Sequence, residues 1–165
     1  MKLLTKLPLL ALFAVFALTS CSTEIIDDKV ATLELKSTNI KPKTIEVEIL
    51  ELLNNHRLSL GLDPLVDMTI IKSVANTHTD YMVDNDEVSH ANFFERSNYL
   101  KQNAEAERVS ENVAYGYSSA DSVVRAWLKS DGHKANIEGD YTNFDVSAEL
   151  NDEGKWYYTN IFIKK

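Results

Sequence analysis

The sequence is short of cysteine, glycine and basic charge, and each shortage removes a class of protein. One cysteine, Cys21, stands in 165 residues. A lone thiol closes no intrachain disulfide and supplies no thiolate cage for zinc. Glycine occurs five times, always at an expected break or loop, and there is no internal repeat or low-complexity tract. No apolar run reaches the roughly 20 residues that a membrane-spanning helix requires. Two hydrolase signatures are missing as well: no H-E-x-x-H zinc helix and no G-x-S-x-G nucleophile elbow. Lysine and arginine total 17 against 25 acidic residues, a net charge of −8. A surface of that sign is poorly matched to nucleic acid or to anionic headgroups, so neither is expected as a main partner.

What is present begins at the N-terminus. Lys2 and Lys6 flank the start of an apolar stretch from Leu7 to Leu18, followed by Thr19, Ser20 and Cys21. A positive leader, a short apolar core and small residues at its end form a secretory signal. Leu18-Thr19-Ser20-Cys21 resembles a lipobox, in which the cysteine is lipidated and becomes the new N-terminus. Several acyl chains, at about 0.8 kcal/mol per buried CH₂, would hold the chain on a membrane where one chain is marginal. Removing residues 1–20 takes away two cations and no acid, leaving 15 basic against 25 acidic residues and a charge of −10. The expected organisation is a signal peptide over 1–20, a lipidated flexible tether over 21–43 and one domain over 44–165. The membrane, reached through the lipid on Cys21, is the expected partner. The expected location is the cell envelope outside the cytoplasm, on the outer membrane if the host has one, since a serine follows the lipid cysteine.

Periodicity organises the domain. Ile45, Ile49, Leu52, Leu53 and Leu60 share one helical face, and Gly61 is the expected stop. Asp67 is expected to cap a second helix carrying Ile71, Val74, Ala75, His78, Tyr81 and Met82 inward. Phe93 to Leu100 reads as a shorter helix and Ala104 to Ser110 as a loop. Ser118 or Ser119 caps a further helix with Ala120, Val123, Val124, Trp127 and Leu128 inward, ending at Gly132. Phe144, Val146 and Ala148 then alternate with Asp145, Ser147 and Glu149. Trp156 to Ile163 is rich in aromatic and β-branched residues, and Asn151 to Gly154 supplies the turn between the two runs. Helices first and a hairpin last predict an α+β fold, with helices packed on a small antiparallel sheet.

Several segments carry a family likeness. Leu53-Asn54-Asn55-His56-Arg57 runs on to Leu60-Gly61-Leu62-Asp63-Pro64-Leu65. Ala75-Asn76-Thr77-His78 leads to Met82, and Ser89-His90 follows. Next come Glu111-Asn112-Val113-Ala114, with Ser110 where a glycine is usual, then Val124 to Ile137, and last Tyr157-Tyr158-Thr159-Asn160-Ile161-Phe162. In this order they resemble the N-x-x-R, G-L-x-P-L, A-x-x-H…M…S-H, G-E-N-[ILV]-A, W-x-x-S-x-G-H and closing Y-x-T-Q-V-F motifs of the CAP superfamily (SCP/PR-1-like), over about residues 44–163. The resemblance implies an α-β-α sandwich and an extracellular setting.

It also implies a cleft lined by two histidines and two glutamates able to bind a divalent metal. His90 matches the first histidine and Glu111 the first glutamate. The second glutamate position is Ser130 and the second histidine position is Tyr157, so half of that tetrad is replaced. His133 is the candidate substitute histidine. Two imidazoles and one carboxylate would suffice for zinc with a position left open, and the same His–Glu pairing could move protons near neutral pH. Each residue also has a plainer reading. His90 could bond a loop carbonyl, Glu111 could satisfy backbone N–H groups beside an apolar strand, and His133 would follow a helix C-terminus where the dipole favours a cation. His78 reads as a packed core histidine and His56 as a surface one. Asn112 and Asn136 read as loop ties, and Tyr115, Tyr117 and Tyr141 as rings packed on the sheet. Ser130 with His133 and Glu111 is a conceivable nucleophile set, without the elbow such serines use.

The half-replaced tetrad favours a non-catalytic binding module at the cell surface, with a lipid, glycan or protein ligand. The alternative is a metal-dependent hydrolase of peptide or cell-wall substrate, with Glu111, His90 and His133 as its reacting groups and zinc as its cofactor.

Overall fold

The computed structural model describes Leu35 and residues 40–165. The expected signal peptide, Cys21 and most of the expected tether lie outside the described residues. Helix α1 spans Thr44–Ser59. Ile49 and Leu53 are fully buried on its inner face, with Ile45 and Leu52 packed at the margin. The Lys43 N–H donates to Glu46 Oε2 at 2.6 Å, satisfying a donor at the helix start. After the helix the chain turns through Gly61 at φ +73°, a conformation that side chains resist. Leu60, expected on the inner face, lies beyond the last helical turn and is 52% exposed.

Val66–Asp67 form the short strand β1 and Thr69–Asp84 form α2. Asp67 is therefore a strand residue, and Met68 takes the cap position expected of it. Tyr81, expected inward on α2, is 36% exposed. Helix α3 is Phe93–Asn103 and strand β2 is Arg108–Tyr115. Helix α4, Ala120–Lys129, is capped by Ser119, whose hydroxyl accepts the Ser122 N–H at 3.2 Å. It does not run to Gly132. Ser130 breaks it with extended dihedrals, and α5, Asp131–Ile137, begins at once with Gly132 in its first turn. Strands β3, Asn143–Leu150, and β4, Trp156–Lys164, close the domain around the expected turn, where Gly154 stands at φ +72°.

The sheet order is β1-β3-β4-β2. β3 and β2 both pair antiparallel with β4, whereas β1 pairs parallel with β3 over Val66↔Asn143 and Asp67↔Phe144, so the sheet is mixed. The segment expected as a loop up to Ser110 enters β2 at Arg108, and β2 runs along β4 from Arg108↔Lys164 to Tyr115↔Tyr157. Its polar residues concealed it, because a strand whose polar side chains find buried partners shows no clean alternation.

Alternation sorts the sheet residues into two layers. Ala114, Phe144, Val146, Ala148, Tyr158 and Phe162 meet α1, α4 and α5, with Trp127 and Ile137 filling that core. Ile161 and Ile163 meet α2 and α3 through Ile71, Val74, Ala75 and Leu100. The result is an α+β fold with helices on both faces, an α-β-α sandwich. Leu35, in the stretch read as a flexible tether, packs against the second core.

The second helical layer covers the polar face of the hairpin as well. Asp145 and Ser147, the polar members of the alternating run, are buried beneath α2. Asn76 of α2 meets Ser147 there, its Nδ2 donating to the hydroxyl at 3.4 Å, and further polar side chains of α2 fill the same layer. Lys72 Nζ donates to the Val146 carbonyl at 2.8 Å, and the Thr79 and Thr159 hydroxyls lie 2.9 Å apart. No helix among the described residues is long and apolar enough to cross a membrane.

Candidate functional site

Glu111 sits mid-strand on β2, opposite Ile161 of β4, and its side chain is 1% exposed. A buried carboxylate needs hydrogen bonds and a counter-charge, and three elements supply them. From α3, Arg96 Nε donates to Glu111 Oε2 at 2.8 Å and Arg96 Nη2 to Oε1 at 2.7 Å. From the loop before α3, His90 Nδ1 lies 2.9 Å from Oε1, a contact that needs the proton on Nδ1 because a carboxylate only accepts. From α2, His78 Nε2 approaches Oε1 to 3.9 Å while lying 2.8 Å from the Ser89 carbonyl. His90 is the open side of the group, with its side chain 52% exposed.

The loop is built to hold His90 there. The Phe93 N–H bonds the His90 carbonyl at 3.1 Å, Asn92 turns the chain at φ +58°, and Arg96 Nη1 donates to the Ala91 carbonyl at 2.6 Å. One guanidinium thus ties the loop, α3 and β2 together. The Phe93 ring lies 5.9 Å from it, within cation–π range.

Electrostatics follow from this packing. Burial pushes the Glu111 carboxyl upward, but the hydrogen bonds from His90 and Arg96, with the charges of Arg96 and His78, outweigh it, and its pKa falls below the ordinary value. Burial and then the Arg96 charge lower His78. Burial and then the charge of His90 lower His133.

His133 therefore lies within electrostatic reach of His90, and its carbonyl accepts from Asn112 Nδ2 at 3.1 Å. It does not follow a helix C-terminus as expected: it occupies the first turn of α5, where the dipole disfavours a cation. Asn136 Nδ2 donates to Asn112 Oδ1 at 2.8 Å and to the Glu111 carbonyl at 3.3 Å, so the two asparagines do tie α5 to β2. Ser130 serves the backbone at the α4–α5 junction, its carbonyl accepting the Lys134 N–H at 2.8 Å. Tyr157 faces Tyr115, four residues beyond Glu111 on β2 and about 13 Å along the strand at roughly 3.3 Å per residue. Its hydroxyl donates to Asp86 Oδ1 at 2.7 Å, and its ring packs 4.5 Å from that of Tyr115. His56, expected at the surface, is half-buried and lies 2.8 Å from Glu138 Oε1. The structure thus joins His90 to Glu111, brings His78 to 3.9 Å from it, ties the His133 backbone to Asn112, and leaves Ser130 and Tyr157 to other duties.

Arg96 is the residue that sequence reasoning missed. A signal was available: Phe93, Arg96 and Leu100 fall at i, i+3 and i+7, so the arginine shares the inner stripe of α3. An arginine on a buried stripe and a glutamate on a buried strand each need a partner.

The family model described as the cysteine-rich secretory protein family, CAP, matches residues 50–162. The chain belongs to the CAP family. Among curated relatives of this CAP chain, the uncharacterized membrane protein YlbC of Bacillus subtilis is 34% identical over 128 residues, 74% of this chain and 35% of the relative. The uncharacterized protein YkwD of the same organism is 32% identical over 96 residues, 56% of this chain and 37% of the relative. The chain thus spans about a third of the length of each. Among solved structures, an outer surface protein of Borrelia burgdorferi superposes with a TM-score of 0.68 at 21% identity, covering 76% of this chain and 96% of that one. An extracellular SCP-domain protein of Bacillus anthracis gives 0.63 at 24% identity, covering 78% and 45%. These structural likenesses show the CAP fold.

The metal expected of a CAP cleft can be tested against the donors present. Zinc would take neutral imidazole nitrogens and a free carboxylate oxygen. Here both Glu111 oxygens accept from Arg96, and Oε1 is shared with His90. Among the described residues no group of three or more histidine, cysteine, aspartate or glutamate side chains is placed to hold a metal ion. The arrangement does not fit a divalent cation while Arg96 holds the carboxylate.

Proposed function

We propose that this CAP chain is a lipid-anchored protein of the cell envelope that works outside the cytoplasm by binding rather than by turnover. The observation that carries the reading is the state of Glu111. A general base needs an oxygen free to take a proton and a pKa near the working pH. Glu111 has neither, since its oxygens are engaged by Arg96 and His90 and its pKa is depressed. What the cleft offers a ligand is the exposed His90 ring over a buried, charge-balanced floor. The anchor rests on the lipobox-like Leu18-Thr19-Ser20-Cys21, and the extracytoplasmic setting agrees with the descriptions of the Borrelia and Bacillus anthracis proteins.

The test has two arms. The native chain, expressed in a bacterial host, partitions into the membrane fraction, and Cys21→Ser releases it; equal partition of both would end the anchor. The purified chain, incubated with peptide and peptidoglycan substrates, releases no more product than Glu111→Gln. Product above that background would replace binding by hydrolysis.

A further inference from the structure

The metal expected of the cleft and the groups around Glu111 disagree, and the disagreement has a specific form. We propose that the Arg96 guanidinium stands in for a divalent cation in this cleft, so that Arg96 and a metal ion are mutually exclusive partners of Glu111 and the native cleft is metal-free.

Three groups converge on one oxygen, Glu111 Oε1: Arg96 Nη2 at 2.7 Å, His90 Nδ1 at 2.9 Å and His78 Nε2 at 3.9 Å. Two donors on one tetrahedral zinc, with bonds of about 2.0–2.1 Å, lie about 3.3 Å apart. The two histidine separations fall on either side of that value. A carboxylate and two imidazoles thus meet around one oxygen, both ring nitrogens facing oxygen acceptors rather than an ion, and the positive group that the carboxylate holds is the guanidinium.

Charge supports the same assignment. The side chains of Arg96 and Glu111 are 2% and 1% exposed, so each needs the other's charge in place. A dication added beside the guanidinium would meet an uncompensated positive charge at short range. The cleft expected from the motifs has two carboxylates, enough to balance a dication. Here Ser130 occupies the second glutamate position, leaving one carboxylate, which one guanidinium balances. Arg96 is also pinned by the Ala91 carbonyl, so it cannot swing out without breaking the loop that carries His90.

The inference rests on reading the cleft as something other than a metal-dependent active site, but its readout is separate. Turnover by metal-stripped native chain would overturn that reading and leave this one standing. Cobalt(II), which takes zinc sites and absorbs in the visible, is titrated into the native chain, Arg96→Gln and Arg96→Gln/Glu111→Gln, each checked for folding by circular dichroism. Arg96→Gln binds one cobalt at least about tenfold tighter than the native chain, and the second substitution abolishes the gain. If Arg96→Gln is unfolded alone, cobalt restores its folded signal, because a ligand that binds only the native state stabilises it. One-to-one cobalt binding by the native chain that His90→Ala removes overturns the proposal. So does a folded Arg96→Gln that binds no better than native, or an unfolded one that cobalt does not rescue.

Discussion

Arg96 and Glu111 meet as a fork on a fork, Nε to Oε2 at 2.8 Å and Nη2 to Oε1 at 2.7 Å, in a space that leaves neither side chain more than 2% exposed. Removing one member of such a pair strands the other charge, at a cost of about 3–5 kcal/mol, whereas replacing both with apolar groups of similar volume is far milder. Arg96→Met and Glu111→Leu are each expected to lower the urea midpoint by that equivalent, and the double variant to recover most of the loss. Single losses below about 1 kcal/mol would mean that the pair is solvated in solution.

A second pair guards the edge of the sheet. β1 covers β3 only at Asn143 and Phe144. Farther along, Glu46 Oε1 accepts the Ala148 N–H at 2.8 Å and Lys72 Nζ donates to the Val146 carbonyl at 2.8 Å, with Lys72 Nζ and Glu46 Oε1 2.5 Å apart. Two helices thus fill with side chains the positions that a further strand would take. Glu46→Ala strands both the Lys72 ammonium and a buried N–H, and it should cost about 3–5 kcal/mol. It should also reopen an edge that templates strand pairing. Size-exclusion chromatography with light scattering checks the second effect: Glu46→Ala is expected to self-associate at concentrations where the native chain does not.

Ser110 stands where the family motif usually has glycine. Its hydroxyl oxygen is buried and makes no hydrogen bond among the described residues. Such a group carries its desolvation cost without return. Ser110→Ala keeps the strand backbone and removes the hydroxyl, so it should stabilise the domain by about 1 kcal/mol. Thermal unfolding of the two proteins decides it, and a lower midpoint for Ser110→Ala would show that the hydroxyl has a partner in solution.

These pairs also mark how far the sequence could be read. Apolar periodicity located α1 and the inner faces of α2 and α4, because Ile49, Leu53, Val74, Val123 and Trp127 fall at helical spacing and bury fully or nearly so, while two-residue alternation located the closing hairpin. It failed where burial is polar. Arg108, Ser110, Glu111 and Asn112 do not look like a strand, yet they lie in one, with Glu111 and Asn112 buried. Lys72 and Asp145 are likewise polar and buried. His90 and Glu111 were legible as site residues through their motifs, but their partner Arg96 sits outside every motif. What decides its role is a contact between residues 15 apart, set by the packing of α3 on β2. Gly132 looked like a stop, whereas the break comes two residues earlier at Ser130.

The buried polar layer makes stability depend on pH in a direction that can be fixed in advance. Burial pushes the Asp145 carboxyl up to about 7 from an ordinary value of 3.8, although its bond from the Val146 N–H and the Lys72 charge pull the other way. Between those two values the native chain holds a proton that the unfolded chain has released. Stability therefore falls as pH rises through this window and levels off above it. Asp145→Asn keeps the Oδ1 acceptor for Val146 and removes the titration. Glu111 and His78, whose pKa values are lowered, act oppositely: each lends stability that is lost as pH falls, through the depressed Glu111 value and below about 6.5 for His78. Both are present in each protein and cancel in the difference. Urea midpoints at pH 4.5, 6 and 7.5, spanning roughly the window set by linkage, should show Asp145→Asn gaining on the native chain as pH rises. The gain is bounded by a total on the order of 4 kcal/mol. A difference that stays flat across the series would mean that native Asp145 is already ionised at the lowest pH, its charge held by Lys72.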